Sequence, residues 1–180
     1  MGLTKRGWRM VVPGLLLPLL IGVAGGAPRW VQAPAASGPG VVLVVKGAVK
    51  QELQLTAADL KALVRVKVTA KDHDGTAREY EGVALQGLLA KAGAAQGGEL
   101  RGKSMTLVVV AEGMDGYKTV FSLAELDEDF AREQVLVADH VDGKPLDAEH
   151  GPLRLVVPGD KRQGRWVRLL KSVTVVKAGE

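Results

Sequence analysis

The sequence predicts an α+β fold, a mixed β-sheet or distorted barrel with short helices inserted between its strands. Two observations carry this reading. Short β-branched runs recur after residue 41, as in 41–45 (VVLVV), 64–68 (VRVKV) and 172–176 (SVTVV), and such runs bounded by turn residues read as strands. Between them stand brief segments with helical spacing, such as Leu85, Leu88, Leu89 and Ala92. The composition agrees with one domain: 47% of the 180 residues are hydrophobic but only 4% are aromatic, so the core is expected to be Val, Leu and Ala. There is no internal repeat.

Taken in order, the run 41–45 is ended by Lys46-Gly47, and 52–55 is a short strand. Thr56 is a good helix N-cap, and Asp59 sits where a capping box needs its carboxylate. The helix it opens is expected to end near Leu63. Residues 64–68 alternate as a half-buried strand does, Asp72-His73-Asp74-Gly75 is a turn, and 76–81 returns as the second arm of a hairpin. A helix over 85–92 stops at Gly93, and Gln96-Gly97-Gly98 is a loop. The run 105–111 is a fully apolar, buried strand, and Asp115-Gly116 turns it into a strand over 117–121. Ser122 caps a short helix through Leu126. A strand over 135–138 meets the turn Asp142-Gly143-Lys144-Pro145. Residues 153–157 form a buried strand, 166–170 a short amphipathic stretch with Trp166 packed in the core, and 172–176 the last strand.

The start of the chain reads differently. Lys5, Arg6 and Arg9 precede an apolar run over 10–24 that Pro13 and Pro18 interrupt. A basic start, a short apolar stretch and small residues near Gly26 and Ala35 fit a cleaved secretory leader better than a membrane anchor. Residues 1–35 are therefore expected to be leader and the start of a tether, 36–40 the rest of that Pro/Ala/Gly-rich tether, and 41–180 the folded domain. There is no adjacent Arg pair, so a twin-arginine signal is not indicated. Export to the periplasm or outside the cell follows, with no stable membrane span after cleavage.

The leader also accounts for the charge. Lys5, Arg6, Arg9 and Arg29 are its only charged residues, and the whole chain has a formal charge of +4, so the remainder is near neutral. Bulk charge thus gives no support for nucleic-acid binding, which needs a basic face on the folded domain. With 0 cysteines there is no disulfide, thiolate ligand or thiol nucleophile.

Two loops carry chemistry. The loop 158–166 (PGDKRQGRW) offers Lys161, Arg162 and Arg165, with Arg168 three residues further and able to share a face with Arg165. Arginine suits phosphate and carboxylate through paired hydrogen bonds, and the glycines allow close backbone approach. A solvated basic loop balanced by Asp160 is the alternative. The second loop, 112–118, carries Asp115 and Tyr117 in what is otherwise an ordinary hairpin turn. His73, His140 and His150 lie beside acids but at no metal-binding spacing, and read as turn histidines. No serine nucleophile motif or phosphate-cradling Gly-rich loop is present.

Four stretches then stand in one order: LTAADL at 55–60, GVALQGLLAKAG at 82–93, VDGKPL at 141–146 and GPLRLVVPG at 151–159, followed by RWVRLL at 165–170. This ordered set resembles the sulfite-oxidase-like molybdopterin-binding oxidoreductase domains, here as a short, stand-alone, cysteine-less member. The resemblance covers most of the chain after residue 41. It implies a sulfite-oxidase molybdopterin-domain-like fold, an exported oxidoreductase and a molybdenum cofactor, with the basic loop beside the pterin phosphate and substrate-side groups near Asp115 and Tyr117. The catalytic members carry a Cys in a "QCxGN" segment after the strand that here is 64–68. This chain has Thr69-Ala70-Lys71-Asp72 there, so ligation of molybdenum by a Cys is excluded; Asp72 and His73 are the nearest alternative donors and read first as turn residues.

The expected cofactor-binding residues are Lys161, Arg162, Arg165, Arg168, Asp115 and Tyr117, with no catalytic or metal residue assigned. The expected function is a non-catalytic binding module for a pterin, another small anion or an exported protein partner. The alternative is a molybdopterin-dependent oxidoreductase, or a subunit of one, without the protein thiolate.

Overall fold

The computed structural model describes residues 40–179; the expected leader, and the tether up to residue 39, lie outside the described residues. All of the described residues fall within one unit, Ala36–Glu180. Among them no helix is long and apolar enough to cross a membrane.

The β-branched runs pair into two sheets rather than closing a barrel. The first has the order β2-β1-β10-β5-β6, from β1 (Val41–Gly47), β2 (Leu53–Thr56), β5 (Leu107–Gly113), β6 (Lys118–Ser122) and β10 (Leu170–Lys177). The last strand lies parallel to the first, with Val44 opposite Ser172, and antiparallel to β5. The second sheet joins β3 (Val66–Lys71), β4 (Ala77–Ala84), β7 (Leu136–Val141) and β8 (Lys144–Pro145), and β9 (Arg154–Val156) pairs with the start of β7. The fold is thus the expected α+β, in its open-sheet form.

Local signals hold where they are strongest. Helix α1 (Ala57–Lys61) starts at a true capping box: Thr56 Oγ1 accepts from the Asp59 N–H at 3.2 Å, and Asp59 Oδ2 accepts from the Thr56 N–H at 2.8 Å. Helix α2 (Leu85–Ala92) buries Leu85, Leu88, Leu89 and Ala92 and ends at Gly93, whose φ of 75° only glycine adopts without strain. Ser122 and Glu125 exchange hydrogen bonds at 2.9 and 3.1 Å around the short 3₁₀ turn Ala124–Leu126.

Three expectations move. The run 105–111 is not a fully buried strand. Residues 102–106 form a 3₁₀ turn, Met105 is exposed, and in β5 only Val109, Ala111 and Gly113 are buried. Leu107, Val108, Val110 and Glu112 are only half-buried, which composition does not reveal. Helix α1 stops two residues before Leu63. Strand β3 starts two residues later than expected and runs on through Lys71, because its pairing with β4 continues to Lys71 opposite Ala77. Val64 is left 83% exposed. This extension carries the 69–72 segment to the mouth of the hairpin turn, where the site lies.

The core is aliphatic, as composition predicts. Leu43, Val45, Leu85, Leu88, Leu155 and Val173 are fully buried, and the aromatics in it are Tyr80, Phe121 and Trp166. Each such aliphatic side chain contributes on the order of 2 kcal/mol of transfer free energy.

Candidate functional site

Two segments far apart in sequence meet at one end of the second sheet. One is the end of β3 and its turn, 69–75; the other is the loop 158–163 that follows β9. Together they line an open groove of about 730 Å³, whose walls include Lys71, Asp72, His73, Lys161, Arg162 and Gln163. The turn forms as expected, with the Gly75 N–H donating to the Asp72 carbonyl at 2.9 Å and the Asp72 N–H to the Thr76 carbonyl at 2.8 Å. Gln163 latches the loop to the strand: its Nε2 donates to the Lys71 carbonyl at 2.8 Å and to Asp72 Oδ1 at 3.2 Å.

Behind the latch lies Arg154, on β9. Its side chain is only 6% exposed. The guanidinium lies 5.0 Å from the Trp166 ring and 5.8 Å from the Tyr80 ring, and Nη2 donates to Gln163 Oε1 at 3.1 Å. The two rings meet edge to face at 5.5 Å, and the Trp166 indole N–H donates to the Val157 carbonyl at 3.0 Å. Trp166 is therefore a core residue, as expected. Burial pushes the Tyr80 hydroxyl up to about 12.

Asp72 is the electrostatic hub. It accepts from the His73 N–H at 2.8 Å and faces Arg78 Nε at 3.2 Å, with Arg154 Nη2 at 3.6 Å. Burial raises its carboxyl, but hydrogen bonds from the His73 N–H, Gln163 and the His73 ring, with Arg154 nearby, overrule burial and hold it well below the usual carboxylate range. A carboxylate whose folded pKa is lowered stabilises the fold above its unfolded value of 3.8, and that contribution is lost as the pH falls through the folded value. Asp139, paired with Arg65 and His140, is lowered in the same sense. Acid titration followed by circular dichroism is expected to show stability falling below about pH 4, with a shallower fall in Asp72→Asn. Equal slopes in the two proteins would remove Asp72 from this role.

The residues singled out from sequence separate into groups. Lys161 and Arg162 line the groove, are exposed, and with Lys71 form no ion pair among the described residues. Arg165 turns away to pair with Asp160 at 2.6 Å and Glu125 at 3.1 Å, over the Phe121 ring at 4.6 Å. It lines a second groove of about 310 Å³ that shares Pro158, Gly159 and Asp160 with the first. Arg168 does not share a face with Arg165. The 3₁₀ turn Gln163–Arg165 ends before it, Trp166 and Val167 are both buried, and Arg168 pairs with Glu149 at 2.8 Å. Asp115 accepts from the Tyr117 N–H within its turn, and the Tyr117 hydroxyl donates to the Gly164 carbonyl at 2.6 Å, bracing the loop from outside. His150 pairs with Asp147 rather than with its neighbour Glu149.

Sequence reading passed over Arg154, Gln163 and Tyr80. A signal existed for the first: one Arg inside the otherwise apolar stretch LRLVV at 153–157 must find partners if that strand is buried.

A strand end and a Gly-containing basic loop thus face each other across a groove with a cationic rim, set in an α+β domain of two open sheets. The chain belongs to the oxidoreductase molybdopterin binding domain family, whose profile matches residues 33–180. Among solved structures it is similar to the sulfane dehydrogenase SoxCD from Paracoccus pantotrophus, with a TM-score of 0.58 and 25% identity over 77% of this chain. The match spans 39% of the length of that chain. No curated protein matches the chain.

The residues present do not fit the metal half of the family's cofactor. Thr69 and Ala70 at the end of β3 offer no soft donor, and Asp72 is already saturated by His73, Gln163 and Arg78. No group of three or more His, Asp or Glu side chains able to hold a metal exists among the described residues. The rim cations Lys71, Lys161 and Arg162 do suit a phosphate or carboxylate.

Proposed function

We propose that this chain is an exported binding domain that retains the groove of a molybdopterin-binding oxidoreductase domain and uses it for a pterin or another small anion, without catalysis at a protein-ligated metal. One observation carries the reading: three cations without ion-pair partners among the described residues rim one groove whose back wall has no thiolate. The acids of that groove are neutralised internally, Asp72 by Arg78 and Arg154 and Asp160 by Arg165, so the field at the rim is positive. In this reading the leader within residues 1–35 is removed on export, and the groove ligand reaches Lys161 and Arg162 first. Arg165, Arg168 and Asp115 hold the surrounding loops, and Tyr117 braces Gly164.

The family match over 33–180 favours a second reading, a molybdopterin-dependent oxidoreductase or a subunit of one that supplies the redox group through an exported protein partner. Elemental analysis and pterin fluorescence on protein purified from the exported fraction separate the two. The binding-domain reading expects no stoichiometric molybdenum; one molybdenum per chain overturns it.

The groove itself is tested with inorganic phosphate. Charge-assisted hydrogen bonds are each worth about 1.5–3 kcal/mol, so Lys161→Ala with Arg162→Ala is expected to weaken phosphate binding at least ~10-fold by calorimetry. Unchanged affinity would move the ligand elsewhere.

A further inference from the structure

Behind the part of the groove wall formed by Asp72 and Gln163 lies a buried charged cluster. Arg154 is buried between Tyr80 and Trp166. Among the described residues its Nε has no hydrogen-bond partner, and the Tyr80 hydroxyl, also buried, makes no well-formed hydrogen bond but interacts with the Asp72 carboxylate. A buried guanidinium needs a counter-charge and acceptors for its donors. Among the described residues the carboxylate in ion-pair range is that of Asp72, 3.6 Å from Nη2. The same carboxylate takes the Gln163 amide at 3.2 Å. Arg154, Gln163 and the Tyr80 hydroxyl therefore converge as donors beside one acidic group, an arrangement suited to a small oxyanion.

We infer that Asp72 is a built-in anion: its carboxylate stands beside buried Arg154 where a bound oxyanion would otherwise sit, and it confines any ligand of the groove to the rim cations Lys71, Lys161 and Arg162. Asp72 is in this sense a specificity-determining residue. It keeps a second negative charge out of the inner end, because its carboxylate already stands between the guanidiniums of Arg78, at 3.2 Å, and Arg154, at 3.6 Å, and takes the place that a second anion would need. The inference stands on the buried cluster and holds whatever the rim binds. It also has a consequence that a purely structural role for Asp72 lacks. Once the carboxylate is removed, a buried positive charge and several donors remain, and they recruit an oxyanion from solution.

The experiment is thermal unfolding of the full chain, as wild type, Asp72→Ala and Asp72→Asn, in chloride and in inorganic phosphate at matched ionic strength. Asp72→Ala is expected to melt about 5–10 °C lower in chloride, since a buried charge has lost its partner. Phosphate is expected to restore about half of that loss saturably, with a smaller response in wild type. The restoration is expected to persist when Lys161→Ala and Arg162→Ala are added. If Asp72→Ala does not fold, Asp72→Asn removes the charge while keeping the shape, and its phosphate binding is read by calorimetry against wild type. A charge-removed variant no more responsive to phosphate than wild type overturns the inference. So does a response that vanishes with the rim substitutions, which would place the phosphate outside. Loss of wild-type phosphate binding on removing the rim cations bears on the rim alone, so the two readings fail separately.

Discussion

Trp166→Ala is expected to destabilise the domain by about 3–5 kcal/mol, the cost of emptying a buried Trp site that the surroundings cannot refill. Three contacts make the site rigid. The indole ring is 5% exposed, meets Tyr80 edge to face, and lies 5.0 Å from the Arg154 guanidinium. Its N–H satisfies the Val157 carbonyl, at the foot of the 158–165 loop. The loss should therefore have two signatures. The urea midpoint falls, and the loop becomes the first site of proteolytic cleavage under native conditions, because Gln163 no longer sits against a fixed Arg154. A loss below about 1 kcal/mol would show that the aromatic cluster does not pack as described. Substitution by Phe separates the terms: it keeps most of the volume and loses the hydrogen bond, so a cost of about 1–3 kcal/mol is expected from the buried carbonyl left unpaired.

Gly82→Ala is expected to be worse than its chemistry suggests, at about 3 kcal/mol or more. A Cβ there would stand 2.0 Å from the Val137 carbonyl oxygen and 2.7 Å from the Ala138 Cα. The neighbours are backbone atoms of β7, which cannot turn away as a side chain does. Gly82 sits at the irregular point of the β4–β7 ladder, where the register shifts between Glu81 and Gly82. Strand β7 also carries β9 and hence Arg154, so the strain reaches the site through the sheet. Gly87→Ala is the matched control. It lies in α2 with nothing within 4 Å of its Cβ position, and should stabilise by up to about 1 kcal/mol through helix propensity. Chemical denaturation of the two variants side by side checks both, and similar behaviour would contradict the close approach at Gly82.

The candidate site was half legible before the fold was known. The basic loop was visible because Lys161, Arg162 and Arg165 cluster in a Gly-containing loop just after the apolar run that ends at Pro158, and the first two line the groove. The segment 69–72 was marked by what it lacks, a thiol. That the two face each other across one groove depends on pairing between residues some ninety positions apart, from Gln163 to Lys71 and Asp72. Arg165 and Arg168 looked equivalent to Lys161 and Arg162 by residue type. Asp160, in the same loop, could pair with any of its cations, while Glu125 and Glu149 come from elsewhere in the chain; which cations are paired was settled only by the fold.

Local and periodic properties were thus readable from the chain alone: the α+β class, the aliphatic core, the capping box at Thr56, the stop at Gly93 and the turn at 72–75. The first two rest on composition and periodicity along the chain; each of the others depends on residues within a few positions of one another, where sterics and hydrogen bonding leave few solutions. The tertiary structure decided whether the strands closed a barrel or formed two sheets, how far β3 ran, and which charges were left unpaired. Arg154 shows the reason most plainly. Its own sequence surroundings make it one polar residue in an apolar strand, while its energy depends on Tyr80, Trp166, Gln163 and Asp72, which only folding brings within reach.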